Sequence, residues 1–437
     1  MKKLFYTAAS LFTALFCAVS ITLPAQSPKG KYGTFALTHA SIETVTKGVI
    51  QNGTVVISNG KIVAVGTNVT IPQGAEIIDC TGQWIYPGMI DAGTQLGLSE
   101  VGSDQRTQDF NEVGDIIPQM KALTAVNPNS ALIPVTRVSG VTTVIASPDG
   151  DLIPGTAALV NLYGYTPDQM YGGFEGVVMN FPHTGRRGYY DRRSEEDIKK
   201  ATEKSIQKLN DVWEKVTQYH KLDSALKSKD LTYYPEMEAL LPVMRGERAL
   251  MVEANTAKDI LAALKWVKEK QVKKVILTGV AEGWRVAAEI AKAGIPVVTG
   301  PVQGLPTRDY DRYDKPYANA GLMQKAGVKV ALRTNQAANV RNLPYHAAFA
   351  AAYGMGREEA LKSITIVPAE IFGVADKLGS IEAGKNATLL VSDGDPMETK
   401  TNIKHVFIDG WQVPMVSRQT LLYDEFLKRD PGVNKSK

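Results

Sequence analysis

The sequence predicts a (β/α)8 barrel accompanied by a small β-sandwich that is built from both ends of the chain. Three observations support this fold class. Signals for β hairpins dominate residues 30–86 and return beyond residue 387. Between these ends, short apolar runs alternate with helical periodicities, which is typical of βαβ units and a parallel sheet. Eight such apolar runs are present, the number of strands that a barrel of this class requires.

The β-rich ends are indicated mainly by their turns. Two β-prone runs flank Asn59-Gly60, a pair that suits the positive φ angles of a type I′ turn. Near the other end, residues 387–392 are predicted as a strand, and a further hairpin is predicted around Asp409-Gly410. Each end supplies too few strands to bury a sheet face alone, so we expect the two ends to fold as one module.

The central region supplies the predicted barrel. Its inner strands are predicted at residues 86–91, 141–146, 157–162, 176–181, 249–253, 274–278, 295–299 and 329–332. Helices are indicated most clearly at 195–219 and 256–270, where apolar residues recur at helical spacing. The predicted domains are a signal peptide at 1–25, the first part of the sandwich at 26–86, the barrel at 87–372, and the second part of the sandwich with a C-terminal tail at 373–437.

Composition excludes several classes of protein. The chain has 437 residues, of which 44% are hydrophobic and 22% charged, values typical of globular proteins rather than of disordered or collagen-like ones. Lys and Arg together number 49 against 45 Asp and Glu, a formal net charge of +4. Because a nucleic-acid-binding surface needs a strongly basic stripe, we expect no nucleic-acid partner.

The N-terminus has the order of a secretory signal. Lys2 and Lys3 precede an apolar run at 4–19, and small residues up to Ala25 offer a cleavage site before Gln26. This order predicts export to the periplasm of a diderm bacterium. The apolar run is too short to span a membrane comfortably, and no later apolar stretch reaches ~18 residues, so no transmembrane anchor is expected after cleavage.

The two cysteines argue against lipidation and against disulfide bonding. Phe16 precedes Cys17, where a lipoprotein signal requires a small residue, so a lipoprotein is not expected. Removal of Cys17 with the signal peptide leaves Cys80 as the only thiol, and no intramolecular disulfide can form.

Two polar loops are candidates for substrate binding. Residues 100–119 form a long loop after the first predicted strand. This loop either covers a site, with Arg106 and Asp109 as substrate-binding residues, or is a solvated loop that caps a helix. Residues 182–193 are basic and form either a solvated linker or an anion contact. The arginines of this second loop are Arg186, Arg187, Arg192 and Arg193.

Three further residues follow predicted barrel strands, on the face where barrel active sites lie. His183 follows the fourth strand, Arg308 belongs to the loop after the seventh, and His346 follows the eighth. His183 and Arg308 are candidate substrate-binding residues.

Several segments resemble the amidohydrolase superfamily, and most of all its imidazolonepropionase-like branch. Residues 84–92 resemble the end of the first barrel strand of that superfamily, and residues 340–344, 364–370 and 378–385 resemble its C-terminal region. The resemblance runs from about residue 33 to residue 413. It implies a metal-dependent hydrolase of C–N bonds in cyclic amides or peptide-like substrates, in which divalent ions bind water and lower its pKa.

The residues at the metal positions depart from the pattern that the resemblance implies. That pattern is a His-x-His pair after the first strand, a carboxylated Lys often on the fourth, His on the fifth and sixth, and Asp on the eighth. The residues that stand at the aligned positions here are Gly93, Gln95, Glu253, Thr278 and Asn335. Glu253 alone is a strong metal donor, and one carboxylate does not make a catalytic zinc site. We therefore expect no metal or other cofactor, although zinc is the metal expected for the family.

Two hypotheses about function remain open. In the first, the chain hydrolyses C–N bonds, either through an atypical site or through a site that a partner such as an active amidohydrolase homologue completes. In the second, the chain is a non-catalytic pseudoenzyme. In the second case the barrel pocket binds a small-molecule ligand or a partner.

Overall fold

The computed structural model describes residues 29–186, 191–226 and 232–429. The predicted signal peptide at 1–25 and Arg187 of the basic loop lie outside the described residues. The described strands are β1 (Lys31–Tyr32), β2 (Phe35–Glu43), β3 (Val49–Ser58), β4 (Lys61–Gly66), β5 (Glu76–Asp79), β6 (Trp84–Pro87), β7 (Met89–Thr94), β8 (Val141–Ala146), β9 (Gly155–Asn161), β10 (Tyr171–Asn180), β11 (Ala249–Ala254), β12 (Val275–Gly279), β13 (Val297–Thr299), β14 (Val330–Leu332), β15 (Leu389–Ser392), β16 (Ile403–Ile408) and β17 (Trp411–Val413).

The described α-helices follow the same chain order. They are α1 (Ala122–Ala125), α2 (Leu132–Arg137), α3 (Pro167–Met170), α4 (Glu195–Leu226), α5 (Pro235–Arg245), α6 (Ala257–Glu269), α7 (Ala287–Ala293), α8 (Lys315–Lys325), α9 (Leu343–Ala350), α10 (Arg357–Lys362), α11 (Ile366–Ile371) and α12 (Arg418–Leu427). Within the described ranges, no helix is both long and apolar enough to cross a membrane.

One sheet joins the two ends of the chain. Its strand order is β1-β17-β16-β15-β6-β2-β3-β4, with β5 paired to β2. Phe35 belongs to β2 and Phe407 to β16, and in the sheet these strands are separated by β15 and β6. Their rings are nevertheless 5.2 Å apart, at a steep angle. The sheet therefore curls over an apolar core of its own, and the prediction of a module made from both ends is confirmed.

The two predicted hairpin turns pack against each other within this module. Asn59, Gly60, Asp409 and Gly410 all have positive φ angles, as a type I′ turn requires. A Cβ on Gly410 would lie 2.5 Å from the Gly60 Cα, so this contact needs glycine. The Ala387 amide donates to the Gly60 carbonyl at 2.8 Å, which ties a turn of the N-terminal part to the C-terminal part.

The second sheet is the barrel, in which strands β7 to β14 are neighbours in chain order. The predicted first strand is divided, because Trp84–Pro87 pairs in the sheet of the chain ends and Met89–Thr94 begins the barrel. The first and last barrel strands approach each other, and the Asn335 amide donates to the Gly93 carbonyl at 3.0 Å. The fold is the predicted barrel with an accessory sheet.

The third barrel strand differs from the predicted repeat of parallel strands. Strand β9 is antiparallel to both β8 and β10. The connections on its two sides, residues 147–154 and 162–170, are shorter than the dozen or more residues that a parallel crossover needs. The chain therefore reverses direction twice here, and the end of β9 lies on the opposite face from the ends of the other barrel strands.

Helix α4 extends seven residues beyond the predicted end at residue 219. Helix α6 begins at Ala257, where the Thr256 side chain accepts a hydrogen bond from the Asp259 amide as an N-cap. These helices pack outside the barrel through the edge-on contact of Trp213 and Trp266, whose ring centroids are 5.2 Å apart.

Candidate functional site

Three barrel strands bring polar side chains, and a fourth brings a glycine, to the face formed by their carboxyl ends. Gly93 lies near the end of β7, Glu253 near the end of β11 and Thr278 near the end of β12, while Arg333 directly follows β14. Active sites of barrel enzymes lie at this face because the loops that follow the strands converge there.

An ion pair occupies the centre of this group. The Arg333 Nη2 atom lies 2.8 Å from the Glu253 Oε1 atom. The Thr278 hydroxyl donates to Oε2 at 2.7 Å, and the Asn255 amide donates to Oε1 at 3.0 Å. The side chain of Arg333 is 10% exposed and that of Glu253 is 23% exposed, so the pair is largely shielded from solvent.

The pair controls the charge of Glu253. Burial alone would raise the pKa of this carboxyl group, but the positive charge of Arg333 acts in the opposite direction. Hydrogen bonds from Arg333, Thr278 and Asn255 add to that effect, and the pKa of Glu253 is held below its ordinary value. Glu253 is therefore a carboxylate at neutral pH and is ion-paired with the guanidinium of Arg333.

The ion pair fits because Gly93 and Gly279, which lack side chains, lie next to it. A Cβ on Gly93 would lie 3.0 Å from the Arg333 Cδ atom, so a side chain at position 93 would compete with Arg333. A Cβ on Gly279 would lie 2.4 Å from a carboxylate oxygen of Glu253. Gly279 also has a φ of +78°, a backbone conformation that favours glycine.

Two cavities adjoin the ion pair. The smaller, of about 130 Å³, is lined by all five residues that the sequence placed at the metal positions of the family. The larger, of about 320 Å³, extends under the loop after β13 and is lined by residues that include Trp284, Asp311 and Lys315. Glu253, Arg333 and Asn335 line both cavities, so the two form one site around the ion pair.

The structure places the other predicted site residues away from these cavities. Arg106 and Asp109 are exposed, and Arg106 is paired with Asp104 at 2.9 Å. His183 bonds the Asp259 carboxylate through Nδ1 at 2.5 Å and lines a separate cavity of about 140 Å³ beside α4. These contacts hold the start of the basic loop against α6.

Arg308 serves a buried carboxylate. It donates through Nε and Nη2 to Glu282, a side chain with no exposed surface. Burial alone would raise the pKa of Glu282, but hydrogen bonds from Arg308, the Ala257 amide and Thr307 lower it to about 2. Arg308 thus fixes the loop after β13 to the start of α6 and does not line either of the two cavities.

His346 also supports that loop. It lies inside α9 rather than at a strand end, and its Nδ1 atom accepts a hydrogen bond from the Val302 amide at 3.1 Å. Burial lowers the pKa of His346 to about 4, so the ring is neutral at physiological pH.

Arg333, Trp284 and Asp311 line the site but were not among the residues that the sequence pattern predicted. Arg333 directly follows the eighth predicted strand, and that position was the available signal. Across the described part of the chain, no group of three or more His, Cys, Asp or Glu side chains is arranged to hold a metal ion.

Comparison with known proteins supports the same superfamily. The model of the Amidohydrolase family matches residues 84–413. An imidazolonepropionase of Geobacillus kaustophilus is 26% identical over 79% of this chain and 84% of its own length. The amidohydrolase tasK of Hapsidospora irregularis is 22% identical over 82% of this chain, which spans 39% of that longer protein.

Solved structures agree with the fold. An amidohydrolase from Thermotoga maritima superimposes with a TM-score of 0.77 at 26% identity, covering 87% of this chain and 99% of that one. An adenosine deaminase from Xanthomonas campestris with bound zinc shares the fold at 15% identity and a TM-score of 0.51, covering 92% of this chain and 98% of that one. Because the family model spans most of the sequence, the chain belongs to the amidohydrolase family.

Proposed function

We propose that this family member is a small-molecule-binding protein, a non-catalytic pseudoenzyme in which an internal ion pair takes the place of a metal centre. The observation that carries this proposal is the contact of Arg333 with Glu253 among the strand ends. The guanidinium of Arg333 places a fixed cationic group at this position without any bound ion, and the carboxylate of Glu253 balances its charge.

The residues at this site do not fit a zinc ion. Zinc is held by imidazole, thiolate or carboxylate groups, and a catalytic site supplies three of them. Gly93 offers no donor, and the neutral side chains at the other positions are weak ligands. Glu253 is already bound to Arg333, whose charge would repel a divalent cation held at the same carboxylate.

Family membership supports a second candidate function, the hydrolysis of C–N bonds in cyclic amides or peptide-like substrates. The imidazolonepropionase relative favours this substrate class. Such a reaction would require the site to be completed from outside, for example by an active amidohydrolase homologue. The two functions differ in their dependence on metal, and this difference provides the test.

We expect the purified chain to contain well under one metal ion per molecule and to show no change in melting temperature with zinc or with a chelator. A preformed zinc site would add about 4 kcal/mol of stability at a zinc concentration a thousandfold above Kd. Elemental analysis and thermal melting measure both quantities. The zinc-containing Xanthomonas deaminase, purified in parallel, serves as the control that the procedure retains a bound ion.

One tightly bound ion per chain, together with chelator-sensitive amide hydrolysis, would overturn the proposal. The variant Glu253→Gln then locates the ion. In an ion-pair site this substitution leaves the metal content unchanged, whereas in a metal site it removes a ligand and should release the ion.

We also propose that the protein is exported to the periplasm, as the charged and apolar segments before Gln26 indicate. N-terminal sequencing of the protein from a periplasmic fraction should begin at or near Gln26. Recovery of an intact Met1 terminus from the cytosol would contradict the proposal.

A further inference from the structure

We propose that a groove at the amino ends of the barrel strands binds an amphipathic anion, a long-chain carboxylate of the fatty-acid class. Its acyl chain would lie on the apolar floor of the groove, and its carboxylate would lie among lysines at the rim. The groove adjoins the starts of β10, β11 and β12. It therefore lies on the face opposite the site around Arg333, and the inference does not depend on the proposed function.

The first observation is the size of the groove. Its volume of about 1380 Å³ exceeds the roughly 300–1,000 Å³ that is typical of small-molecule sites. It continues into a second depression of about 280 Å³, and residues that line both are Gly294, Ile295, Pro296, Glu370 and Ile371. The combined space suits an elongated molecule better than a compact one.

A difference in helix length leaves the groove open to solvent. Helix α6 has 13 residues and is about 20 Å long, whereas its neighbour α7 has 7 residues and is about 10 Å long. Part of α6 is therefore not covered by α7, and Leu261 on α6 is 41% exposed. Leu264 lies on the same face of α6, three residues further on, and is also partly exposed in the groove.

Other partly exposed apolar side chains continue the floor of the groove beyond α6. They come from several elements at this end of the barrel, and they are Phe174, Val272, Val275, Ile295 and Ile371. An exposed apolar surface with a polar rim is typical of a binding site. Each methylene group that an acyl chain buries on such a floor increases its affinity by up to about fourfold.

The second observation is the basic rim of the groove. Six basic and four acidic side chains line it, and two of the acids are already paired, Glu175 with Arg248 and Glu370 with Lys329. Within the described ranges, four exposed lysines of the lining have no acidic partner, against two such glutamates. These lysines are Lys268, Lys273, Lys274 and Lys292, and the glutamates are Glu247 and Glu289. The excess of positive charge suits an anionic head group.

The combination of floor and rim selects the class of ligand. A small hydrophilic anion would leave the apolar floor exposed to water, and an amphipathic cation would be repelled by the lysines. Because contacts with exposed charges are individually weak, we expect the chain to supply most of the affinity and the lysines to set the preferred sign of charge. A long-chain carboxylate satisfies both parts of the groove.

Isothermal titration calorimetry of the full chain should compare octanoate, decanoate and dodecanoate, and should compare decanoate with decylammonium. The affinity should rise at least about fourfold with each added pair of methylene groups, even if each group is only half buried. Decanoate should bind at least about fivefold more tightly than decylammonium, which has the same chain and the opposite charge. Raising the salt concentration from about 0.01 M to 0.15 M should narrow this difference, because exposed charges are screened.

Variants assign the chain and the head group to the groove. Leu261→Glu places a charge on the floor and should weaken the binding of decanoate at least about fivefold. The double variant Lys268→Glu with Lys292→Glu should weaken decanoate and strengthen decylammonium, an inversion that general destabilisation would not produce. Lys258→Glu is the matched control, because Lys258 is an exposed lysine of α6 that does not line the groove. Its affinities should equal those of the unmodified protein.

Several results would overturn the inference. They are equal affinity for decanoate and decylammonium, an affinity that does not change with chain length, no binding of dodecanoate at about 5 mM, or equal effects of Lys258→Glu and the double variant. Sedimentation of the chain without ligand tests another occupant. Self-association that the double variant abolishes, together with no binding of the carboxylates, would mean that a second copy of the chain covers the groove and would also overturn the inference.

Discussion

Replacing Asp91 with Ala is expected to lower the free energy of unfolding by about 3–5 kcal/mol, because it leaves three buried donors without an acceptor. Asp91 has no exposed surface. It accepts a hydrogen bond from the Thr334 hydroxyl at 2.6 Å, one from the Thr334 amide at 3.2 Å and one from the Gly93 amide at 3.0 Å. Each abandoned donor costs about 1–3 kcal/mol, which brings the sum to the expected range or above it.

The position of Asp91 explains why the effect should be large. Asp91 belongs to β7 and Thr334 follows β14, the first and last strands of the barrel. Their contact joins strands that are 243 residues apart in the chain and lies directly beside Arg333. Loss of the contact should therefore disturb the closure of the barrel and the position of the ion pair.

Asp91 should also make stability depend on pH. Burial raises its pKa to about 6, although the hydrogen bonds from Thr334 and Gly93 act to lower it. The folded protein thus holds a proton more tightly than the unfolded chain, whose carboxyl has a pKa near 4. This group's contribution to stability is complete below about pH 4 and is lost as the pH rises through 6, a difference of about 3 kcal/mol.

Urea denaturation at several pH values measures both effects, with Asp91→Asn as the control. The asparagine can accept from the two amides and donate to the Thr334 hydroxyl, and it never carries a buried charge, so we expect its stability at pH 7 to equal or exceed that of the parent protein. Because the asparagine carries no titratable proton, the slope between pH 4 and 6 should become shallower. An alanine variant within about 0.5 kcal/mol of the parent protein, or an asparagine variant with the full slope, would show that Asp91 does not have this role.

Much of the fold follows from local signals in the sequence. The turns at Asn59-Gly60 and Asp409-Gly410 require positive φ angles, which few residues tolerate, so their positions could be predicted. The reversal of β9 could not be predicted from its apolar residues, because a buried strand has the same composition in either direction. The shortness of the loop at 147–154 was the missed clue.

The site was predictable only in part, for a different reason. The ends of the predicted strands identified five residues that line one cavity in the structure, namely Gly93, Gln95, Glu253, Thr278 and Asn335. The partner of Glu253 could not be found in this way, because residue types show no pairing between strands 80 positions apart. Arg106 and Arg308 illustrate the same limit, since each basic side chain could bind a ligand but is held by an acidic neighbour of the protein itself.

Removing the Arg333 charge should be the second large perturbation. The variant Arg333→Met leaves Glu253 as a partly buried carboxylate without its cation, and we expect a loss of about 2–4 kcal/mol. This is below the cost for a fully buried pair because 23% of the Glu253 side chain is exposed. Urea denaturation at pH 7 should also show that the double variant Arg333→Met with Glu253→Gln recovers most of the loss, since no uncompensated charge remains.

Acid should have opposite effects on the contribution of Glu253 to stability in the unmodified protein and in the Arg333→Met variant. In the unmodified protein the pKa of Glu253 lies below its ordinary value, so the stabilisation that it provides is present above that value and is lost as the pH falls through the folded-state pKa. Without Arg333 the pKa should rise, and the deficit of the single variant should shrink at low pH as the carboxyl group becomes protonated.

An exposed ion pair provides the matched control for this cycle. Lys200 and Glu196 lie one turn apart on α4, at 2.7 Å, with both side chains largely exposed. The corresponding cycle, Lys200→Met with Glu196→Gln, should give a coupling of no more than about 0.5 kcal/mol. A coupling this small for Arg333 and Glu253 as well would mean that their contact is as weakly coupled as a surface pair. The guanidinium could then no longer be regarded as a fixed charge in the place of a metal centre.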